Sequence, residues 1–363
     1  MLVRTYRRRT EPELGLQSSG SSVDLQGDLG VGNAKEESAQ PILSVQNLGV
    51  SLRSAGRRVP LVRDVSFDVK LGQTVGIVGE TGSGKSMTAK AILRLLDPPL
   101  AIDSGKVLFR GQDLFQANER ALQKIRGADI GVIFQNPKAS LHPMLSVEKQ
   151  MVNVYRHHRG DSRQGARVYC LEMLRRTGIP DPERVAAQYP HQLSGGMAQR
   201  VMIAIGLMCS PSLVIADEPT TGLDVTIQMR VLDVLMRLLK ETHAGAVIIT
   251  HDLGVVANFC DHVVVLYGGR VMEQGPTVTI FARPKHPYTI SLLSSSSLET
   301  RRAYPELSLR GAPFDLFKPP SGCVLHPRCP FAVDLCAARE PELCSVGDGV
   351  EPHASRCYFA EEL

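Results

Sequence analysis

A glycine-rich stretch in the first quarter of the chain has the spacing of a loop that binds phosphate. It reads Gly79-Glu80-Thr81-Gly82-Ser83-Gly84-Lys85-Ser86 and fits the pattern G-x-x-x-x-G-K-S/T in full. Glycines let the backbone curl until its N–H groups face a β-phosphate, and the N-terminus of a following helix adds positive potential. Lys85 would reach the β- and γ-phosphates, and the Ser86 hydroxyl would ligate Mg²⁺. The stretch therefore predicts a nucleoside triphosphate as ligand.

Two adjacent carboxylates, Asp217 and Glu218, follow the apolar run of residues 213–216. Such a run is typical of a strand buried on both faces, and ligands of open α/β sheets bind beyond the carboxyl ends of the strands. There Asp217 would orient Mg²⁺ through water, and Glu218 would act as general base for an attacking water. The alternative role of such an acidic pair is to cap a helix.

A second glycine-containing motif, Leu193-Ser194-Gly195-Gly196-Met197, lies directly before a stretch with helical periodicity. A serine and two glycines at the start of a helix form another anion-binding nest. One subunit does not need two phosphate nests for one nucleotide. The motif therefore predicts that the second nest of each subunit closes on the nucleotide of a partner subunit.

The order of these motifs along the chain resembles that of the ABC transporter ATPases. Residues 193–197 are similar to the LSGGQ signature of that family, with Met197 in place of the glutamine. Gln135 matches the Q-loop glutamine, residues 221–224 match the D-loop, and His251 matches the switch histidine. Gln135 or His251 alone would indicate little, because a lone glutamine is usually a surface residue and a lone histidine after a strand is more often structural. The order of all six motifs carries the resemblance.

The resemblance implies a role for each matching residue. Glu218, His251 and Gln135 would form the catalytic set, with Gln135 also sensing Mg²⁺ and contacting the membrane subunit. Mg²⁺ would be held at Ser86, Gln135 and Asp217. The residues implied in binding ATP are Gly79, Glu80, Thr81, Gly82, Ser83, Gly84, Lys85, Ser86, Met87, Asp217, Ser194, Gly195, Gly196 and Asp224.

The early strands depart from the family pattern in one respect. Many ABC ATPases stack adenine on an aromatic residue there, and residues 42–66 contain no aromatic. Leu52 or Val59 would have to supply the apolar contact instead. The choice of ATP over GTP therefore follows from the resemblance and not from residues around the base.

Five of the eight cysteines lie in the last 41 residues, at positions 323, 329, 336, 344 and 357. A disulfide framework is disfavoured in a cytosolic protein. Thiolates held close together suit an iron–sulfur cluster or a zinc ion, and the spacings are not those of a C-x2-C zinc ribbon. Free thiols in a loop-rich tail are the remaining alternative.

The C-terminal residues, 284–363, resemble the C-terminal extension of oligopeptide and dipeptide importer ATPases. The matching motifs are His-Pro-Tyr-Thr at residues 286–289 and Gly-Cys-Val-Leu-His-Pro-Arg-Cys-Pro-Phe at residues 322–331. This resemblance implies a 4Fe-4S cluster held by Cys323, Cys329, Cys336 and Cys357. Cys344 would be extra, although an exchange of roles between Cys344 and Cys357 stays open. Nickel and opine importers share much of this pattern, so the solute class stays broad.

The elements that must position these residues alternate between strand and helix. Apolar runs predict strands at residues 42–50, 61–69, 75–78, 107–110, 130–134, 213–216, 246–250 and 262–267. Helices are predicted at residues 86–96 and 225–239, and helical periodicity dominates residues 146–208. This alternation predicts an α/β sheet covered on both faces.

The resemblance makes this fold an ABC-type P-loop nucleotide-binding domain with a helical subdomain, followed by a small Cys-rich extension. The predicted domains are a disordered leader at residues 1–40, an ABC ATPase domain at 41–283 with its helical subdomain at about 140–210, and a C-terminal extension at 284–363. The leader is predicted because its residues are polar and show no apolar periodicity.

Composition places the chain among globular proteins, with 43% apolar and 21% charged residues out of 363. The formal net charge of +4 does not favour a nucleic-acid partner. Apolar runs such as residues 201–208 are too short to cross a bilayer, and no apolar segment follows the arginines at positions 7–9, so no secretory signal is predicted. We therefore expect a peripheral protein at the cytoplasmic face of the cell membrane, attached through a partner.

The motifs and the resemblance together predict an ATPase, the subunit that binds and hydrolyses ATP to energise a bacterial ABC importer for oligopeptides or dipeptides. The implied cofactors are ATP, Mg²⁺ and the 4Fe-4S cluster. The implied partners are a second ABC ATPase subunit in a heterodimer, two transmembrane permease subunits and an extracytoplasmic solute-binding protein, with no nucleic acid. The alternatives are an importer ATPase for nickel-type or opine-type solutes, a non-transport ABC ATPase, and a regulatory subunit without catalysis, against which Glu218 and His251 argue.

Overall fold

The structure, a computed structural model, describes residues 40–54, 56–296, 300, 302, 307–347 and 352–363. The leader predicted at residues 1–40 therefore lies outside the described residues, apart from residue 40. The described residues form two β-sheets with helices packed against them.

The strands are β1 (Leu43–Ser54), β2 (Arg57–Val69), β3 (Thr74–Val78), β4 (Leu100–Phe109), β5 (Gln112–Asp113), β6 (Ile130–Ile133), β7 (Leu213–Asp217), β8 (Gly245–Ile249), β9 (His262–Tyr267), β10 (Arg270–Pro276), β11 (Cys344–Ser345) and β12 (Ala354–Ser355). The helices are α1 (Lys85–Ile92), α2 (Glu119–Ile125), α3 (Pro137–Ser140), α4 (Val147–Arg159), α5 (Arg163–Arg176), α6 (Pro182–Ala187), α7 (Gly195–Leu207), α8 (Val225–Thr242), α9 (Leu253–Phe259), α10 (Thr277–Ala282), α11 (Pro287–Ser296) and α12 (Asp334–Ala338). Within the described ranges, no helix combines the length and the apolar character that crossing a membrane requires.

The large sheet has eight strands in the order β11-β12-β10-β9-β3-β8-β7-β6. The five strands from β9 to β6 in this order run parallel. Alternate residues of a strand point to opposite faces. Accordingly, Leu213 and Ile215 of β7 enter one apolar core, while Val214 and Ala216 enter the other. The predicted α/β fold is confirmed, and the sheet is buried on both faces where its five parallel strands are almost entirely apolar.

A second, antiparallel sheet has the order β2-β1-β4-β5. Leu43 of β1 lies opposite Val69 in one ladder and opposite Phe109 in the other. These three side chains are buried in the core that the antiparallel sheet shares with one face of the large sheet. The apolar runs predict the strands, but the existence of a separate sheet depends on pairing between distant segments, which periodicity does not reveal.

Five helices, α3 to α7, lie between β6 and β7. Helix α7 packs against β6, and the other four pack against α7 or against one another. The side chains of Ser146, Ser162 and Ser194 each accept a hydrogen bond from the backbone N–H three residues later. Each such cap satisfies an N–H group that lacks a partner within its helix. The serines therefore fix where α4, α5 and α7 begin.

The C-terminal residues add two short strands to the edge of the large sheet. β12 pairs with β10, with Ser355 opposite Glu273, and β11 pairs with β12. The Glu273 side chain is fully buried, and its Oε1 accepts a hydrogen bond from the Lys285 N–H at 2.6 Å and lies 2.8 Å from Nε2 of His353. Buried carboxylates need such partners, so these contacts hold the C-terminal residues to β10.

Gly131→Ala is expected to destabilise the fold by about 2–3 kcal/mol, the order of free energy that overpacking of a dense interior costs. A Cβ on Gly131 would lie 2.1 Å from the carbonyl O of Gly206 and 2.9 Å from Cγ of Pro211, so β6 and α7 would have to separate. Gly111→Ala is the control, because a Cβ there meets nothing within 4 Å and only the positive φ of 77° carries a cost. Urea-unfolding midpoints measure both variants, and equal losses would contradict the backbone contact between β6 and α7.

Candidate active site

The phosphate loop, residues 79–86, connects the end of β3 to the start of α1. Gly79 opens the loop with a φ of 153°, and a Cβ there would lie 2.1 Å from the carbonyl O of Leu266 in β9. Gly84 has a φ of 102° at the N-cap of α1. Only glycine adopts such backbone conformations without strain. Gly79 and Gly84 therefore allow the chain to turn sharply at the carboxyl end of β3.

Lys85 lies inside the phosphate loop and is buried. Its Nζ donates hydrogen bonds to the carbonyl O atoms of Gly79, at 2.7 Å, and Glu80, at 3.0 Å. Burial lowers the pKa of Lys85, and the nearby Glu218 carboxylate opposes that shift. The buried Ser83 hydroxyl has no hydrogen-bond partner in the described part of the chain. A cation and an unsatisfied hydroxyl in one glycine-rich loop fit a phosphate group.

Ser86 and Asp217 place two oxygen ligands side by side. Ser86 Oγ donates a hydrogen bond to Oδ1 of Asp217 at 3.0 Å, which joins the start of α1 to the end of β7. Burial raises the pKa of Asp217, the hydrogen bond from Ser86 opposes that shift, and the negative charge of Glu218 adds to it. Hydroxyl and carboxylate oxygens are the ligands that Mg²⁺ prefers, and a cation here would offset the cost of burying the carboxylate.

Glu218 is held at the end of β7 by contacts to three segments. Its backbone has a positive φ of 46°, and its N–H donates to the carbonyl O of Ile249 at 2.9 Å. The carboxylate Oε2 accepts hydrogen bonds from Gln135 Nε2, at 3.0 Å, and Thr221 Oγ1, at 2.7 Å. Oε1 lies 3.6 Å from Nδ1 of His251. A carboxylate fixed in this way, with one oxygen facing the exposed side chain of His251, is suited to act as a general base.

The topology explains why the three residues predicted as catalytic meet. Gln135, Glu218 and His251 follow β6, β7 and β8, which are adjacent parallel strands. Carboxyl ends of parallel strands lie at one edge of a sheet, where ligands of such sheets bind. The structure therefore brings Gln135, Glu218 and His251 together beside the phosphate loop.

The second nest lies at the start of α7 and contacts α8, not the phosphate loop. Cβ atoms added at Gly195 and Gly196 would lie 3.3 Å from Leu223 and 3.0 Å from Ile227, respectively. Asp224 caps α8 by accepting from the Ile227 N–H at 3.0 Å. Within the described residues no hydrogen bond or ion pair joins the nest to the phosphate loop. Of the other predicted nucleotide contacts, Thr81 is exposed on the loop and Met87 packs against the core beneath α1.

Four residues at the site were not predicted from the sequence: Thr221 as a partner of Glu218, and Tyr267, Tyr288 and Arg328 near the phosphate loop. The backbone N–H of Glu80 donates to the Tyr288 hydroxyl at 2.8 Å, and Nη1 of Arg328 donates to the Glu80 carboxylate at 2.9 Å. These contacts span 208 and 248 residues of sequence. No local spacing could have indicated them.

The four-cysteine site consists of Cys323, Cys329, Cys336 and Cys357, which line one cavity of about 340 Å³, counted with its solvent-open part. Cys344 is exposed on β11 and does not line this cavity. Burial raises the pKa of Cys323 to about 11 and that of Cys357 to about 12. Across the described residues, no group of three or more His, Cys, Asp or Glu side chains has the arrangement expected for a bound metal ion.

Two family models match the chain. The ABC transporter model matches residues 62–221, which include the phosphate loop, the second nest and Glu218. A model described as the oligopeptide/dipeptide transporter C-terminal region matches residues 272–336, which include Tyr288, Arg328 and three of the four cysteines.

Curated relatives match almost end to end. A putative peptide import ATP-binding protein of Brucella ovis is 45% identical over 338 residues, which cover 90% of this chain and 99% of the relative. The dipeptide transport ATP-binding protein DppD of Bacillus subtilis is 43% identical over 324 residues, which cover 89% of this chain and 96% of the relative. The chain belongs to the ABC transporter ATP-binding proteins. The predicted family is thereby confirmed, and the nucleotide site is that of an ABC ATPase.

Solved ABC cassettes share the fold. The dimeric ATP-binding cassette MJ0796, in a post-hydrolysis state bound to ADP and Pi, aligns with a TM-score of 0.59 and 29% identity, covering 65% of this chain and 98% of that chain. CbiO1 of Clostridium perfringens, part of the ABC transporter complex cbiONQ, aligns with a TM-score of 0.57 and 28% identity, covering 74% of this chain and 96% of that one. ATP and Mg²⁺ therefore fit the site of this ABC protein.

Proposed function

We propose that this chain is the subunit that hydrolyses ATP to energise a bacterial importer for oligopeptides or dipeptides. The observation that carries the proposal is the convergence of Gln135, Glu218 and His251 beside the phosphate loop. The peptide class is supported by the match of residues 272–336 to the C-terminal region of oligopeptide and dipeptide transporters and by the relatives named above.

The proposal gives each side chain of the site a task that its contacts support. Glu218 accepts the proton of the attacking water, since Oε1 faces His251 while Oε2 is occupied by Gln135 and Thr221. His251 and Gln135 orient that water and the γ-phosphate. Lys85 and the loop amides stabilise the negative charge that develops on the transferred phosphoryl group.

Ser86 and Asp217, with Gln135, would hold Mg²⁺. Bound there, Mg²⁺ supplies positive charge to the β- and γ-phosphate oxygens. Ser86 already donates to Asp217 at 3.0 Å, so the two ligands lie close enough to share one cation. The desolvated Asp217 carboxylate, whose pKa burial raises, is suited to a cation as partner.

A second ATPase subunit completes each nucleotide site in this proposal. The nest at Ser194, Gly195 and Gly196 makes no hydrogen bond to the phosphate loop of its own chain in the described residues. Donors placed so are free to contact the γ-phosphate held by another subunit. Asp224, which caps α8, lies between Leu223 and Ile227 in sequence, the two residues that contact the glycines of the nest. We favour a heterodimer of two related ATPases.

The remaining partners are two transmembrane permease subunits and an extracytoplasmic solute-binding protein, with no nucleic acid. The chain would sit peripherally at the cytoplasmic face of the cell membrane. Its ATPase domain would occupy residues 41–283, with a helical subdomain at about 140–210, and residues 284–363 would form the Cys-rich extension.

Purification of the Glu218→Gln variant from detergent-solubilised native membranes tests this function, because slowed turnover should keep the assembly together. We expect two permease subunits and a second ATPase to copurify, and ATPase activity of the wild-type assembly to rise when a peptide-loaded binding protein is added. Stimulation by nickel-loaded or opine-loaded protein instead would change the solute class. Recovery with ribosomes, DNA or scaffold proteins alone would refute transport.

We further propose that the four-cysteine site holds a 4Fe-4S cluster. Convergence of four thiols on one cavity supports this, because such clusters take four thiolate ligands. The cluster would supply iron–thiolate bonds that cross-link residues 323–357. A segment with little core of its own gains stability from such a cross-link.

Cys329→Ser is expected to lower the iron and acid-labile sulfide content of the purified chain to near zero, together with its visible absorbance. Cys344→Ser is the matched control, since Cys344 is exposed and does not line the cavity. It should keep the full content. Zinc in place of iron, or loss of iron in the Cys344 variant, would contradict the assignment of ligands and metal.

A further inference from the structure

The phosphate loop is contacted from outside by two residues of the C-terminal region. Arg328 donates from Nη1 to Glu80 Oε2, at 2.9 Å, and to the Tyr267 hydroxyl, at 3.2 Å. The guanidinium carbon also lies 5.7 Å from the centre of the Tyr267 ring. The Tyr288 hydroxyl accepts from the Glu80 N–H at 2.8 Å. Both the backbone and the side chain of Glu80 are thus held by residues more than 200 positions away.

Glu80 is an unfavourable residue for a loop that binds a triphosphate. A carboxylate there repels the negative charge of the phosphates. Burial lowers the pKa of Lys85, and Glu80 is one of the nearby carboxylates that oppose this shift. Arg328 is 14% exposed and Glu80 is 36% exposed, so their ion pair is partly shielded from water. Pairing with Arg328 neutralises Glu80 and holds its carboxylate against the C-terminal region.

Both residues that contact Glu80 are next in sequence to residues that line the four-cysteine cavity, Arg328 to Cys329 and Tyr288 to Pro287. Arg328 precedes Cys329, and the N–H groups of both residues donate to the carbonyl O of Leu325, at 2.8 and 3.0 Å. The Tyr288 N–H donates to Nδ1 of His286, which lines the same cavity. Tyr288 is fully buried. A rearrangement of the cysteines would therefore displace the residues that hold the loop.

We propose that Arg328 and Tyr288 are positioning residues for the phosphate loop, through which the state of the four-cysteine site sets the affinity of the chain for ATP. The proposal rests on the proposed function only in taking ATP as the ligand of the loop. Neither residue touches the nucleotide; both act through Glu80. Because coupling between two sites is reciprocal, bound ATP in turn stabilises the arrangement of the four cysteines around their cavity.

A double-mutant cycle between Arg328 and Glu80 tests the first part, with the dissociation constant of a fluorescent ATP analogue as readout on the full chain as purified. Arg328→Met should weaken binding by about five-fold, because it leaves the Glu80 carboxylate unpaired beside the phosphates. Glu80→Gln provides the background in which no carboxylate is left for Arg328 to neutralise, and Arg328→Met should cause no further loss of affinity in that background. Arg328→Lys should recover part of the loss, since it restores the charge without the planar fork.

Arg339→Met is the matched control, an exposed arginine of the same region whose only ion pair in the described residues is with Glu342 at 3.8 Å. It should bind ATP like wild type. An equal five-fold loss in the Glu80→Gln background would overturn the proposal, because Arg328 would then act without Glu80. Unchanged affinity of Arg328→Met would overturn it as well. Failure of the wild-type chain to bind any nucleotide would refute the proposed function instead.

The reciprocal effect is measured on the cysteines themselves. Saturating Mg²⁺ and a non-hydrolysable ATP analogue should slow alkylation of Cys323, Cys329, Cys336 and Cys357 by iodoacetamide, followed by mass spectrometry, with exposed Cys344 as internal reference. The protection should disappear in Arg328→Met assayed at a saturating concentration of the analogue. Equal protection in both chains would overturn the coupling through Arg328. The measurement applies whether the thiols carry metal or are free.

Discussion

Glu218→Gln is expected to lower the rate of ATP hydrolysis by about 10²–10⁴-fold, the range by which a positioned general base accelerates proton transfer. The amide has the shape of the carboxylate and can still accept the hydrogen bonds from Gln135 and Thr221 through its oxygen. It cannot take a proton from water. ATP affinity should therefore stay within about two-fold of wild type, the signature of an interaction used only in the transition state.

The control for Glu218→Gln is Glu241→Gln, which makes the same chemical change at an exposed residue of α8. Glu241 pairs with Arg176 and Arg237 and lies outside the site. Single-turnover kinetics and equilibrium binding separate the two effects on each variant. Wild-type turnover in Glu218→Gln would remove it as the base, and a large loss of binding would show that its role is structural.

Lys85→Met is expected to weaken ATP binding by about a hundred-fold or more. The ammonium that now donates to the carbonyls of Gly79 and Glu80 would turn to the phosphates, and charge-assisted hydrogen bonds are worth about 1.5–3 kcal/mol each. Methionine keeps an unbranched apolar stem and removes the charge together with the N–H donors that carry it. Because Lys85 is buried, no neighbouring cation can replace it without moving the loop.

Lys90→Met tests whether loss of any lysine from α1 has the same effect. Lys90 is exposed in the last turn of that helix, about one turn beyond the loop. Its replacement should leave ATP affinity within about three-fold of wild type, as expected for a screened surface charge. Isothermal titration with ATP and Mg²⁺ compares the two variants, and similar losses in both would contradict a specific phosphate contact by Lys85.

The strands that could be predicted as buried from the sequence are those formed by an uninterrupted run of apolar residues. β3, β7, β8 and β9 are apolar along their length and were recognisable as buried strands. β10 was missed, because Glu273 and Gln274 break its apolar pattern. The contacts of Glu273 with His353 and Lys285 offset the cost of burying its carboxylate. Because these contacts are not local, the periodicity of the sequence does not reveal them.

The chemistry of the site was predictable for the same reason that the family was. The phosphate loop, Asp217 and Glu218 owe their roles to local geometry, a turn before a helix or the end of a strand, and local geometry follows from short motifs. Thr221 as a partner of Glu218, and Arg328 and Tyr288 as partners of Glu80, depend on tertiary contacts. They had to await the structure.

β12 is the last strand along the chain in the described residues, yet it pairs with the outer edge of β10. A ribosome delivers the chain from its N-terminus, so during synthesis β10 keeps an open edge until residues 354–355 have emerged. An open edge can pair with the edge of a neighbouring nascent chain. The same late segment delivers Cys357, the last thiol of the four-cysteine site. Nascent chains that stall before this point therefore have an unpaired edge on β10 and lack one of the four cysteines. Both features distinguish them from finished molecules for the quality-control machinery.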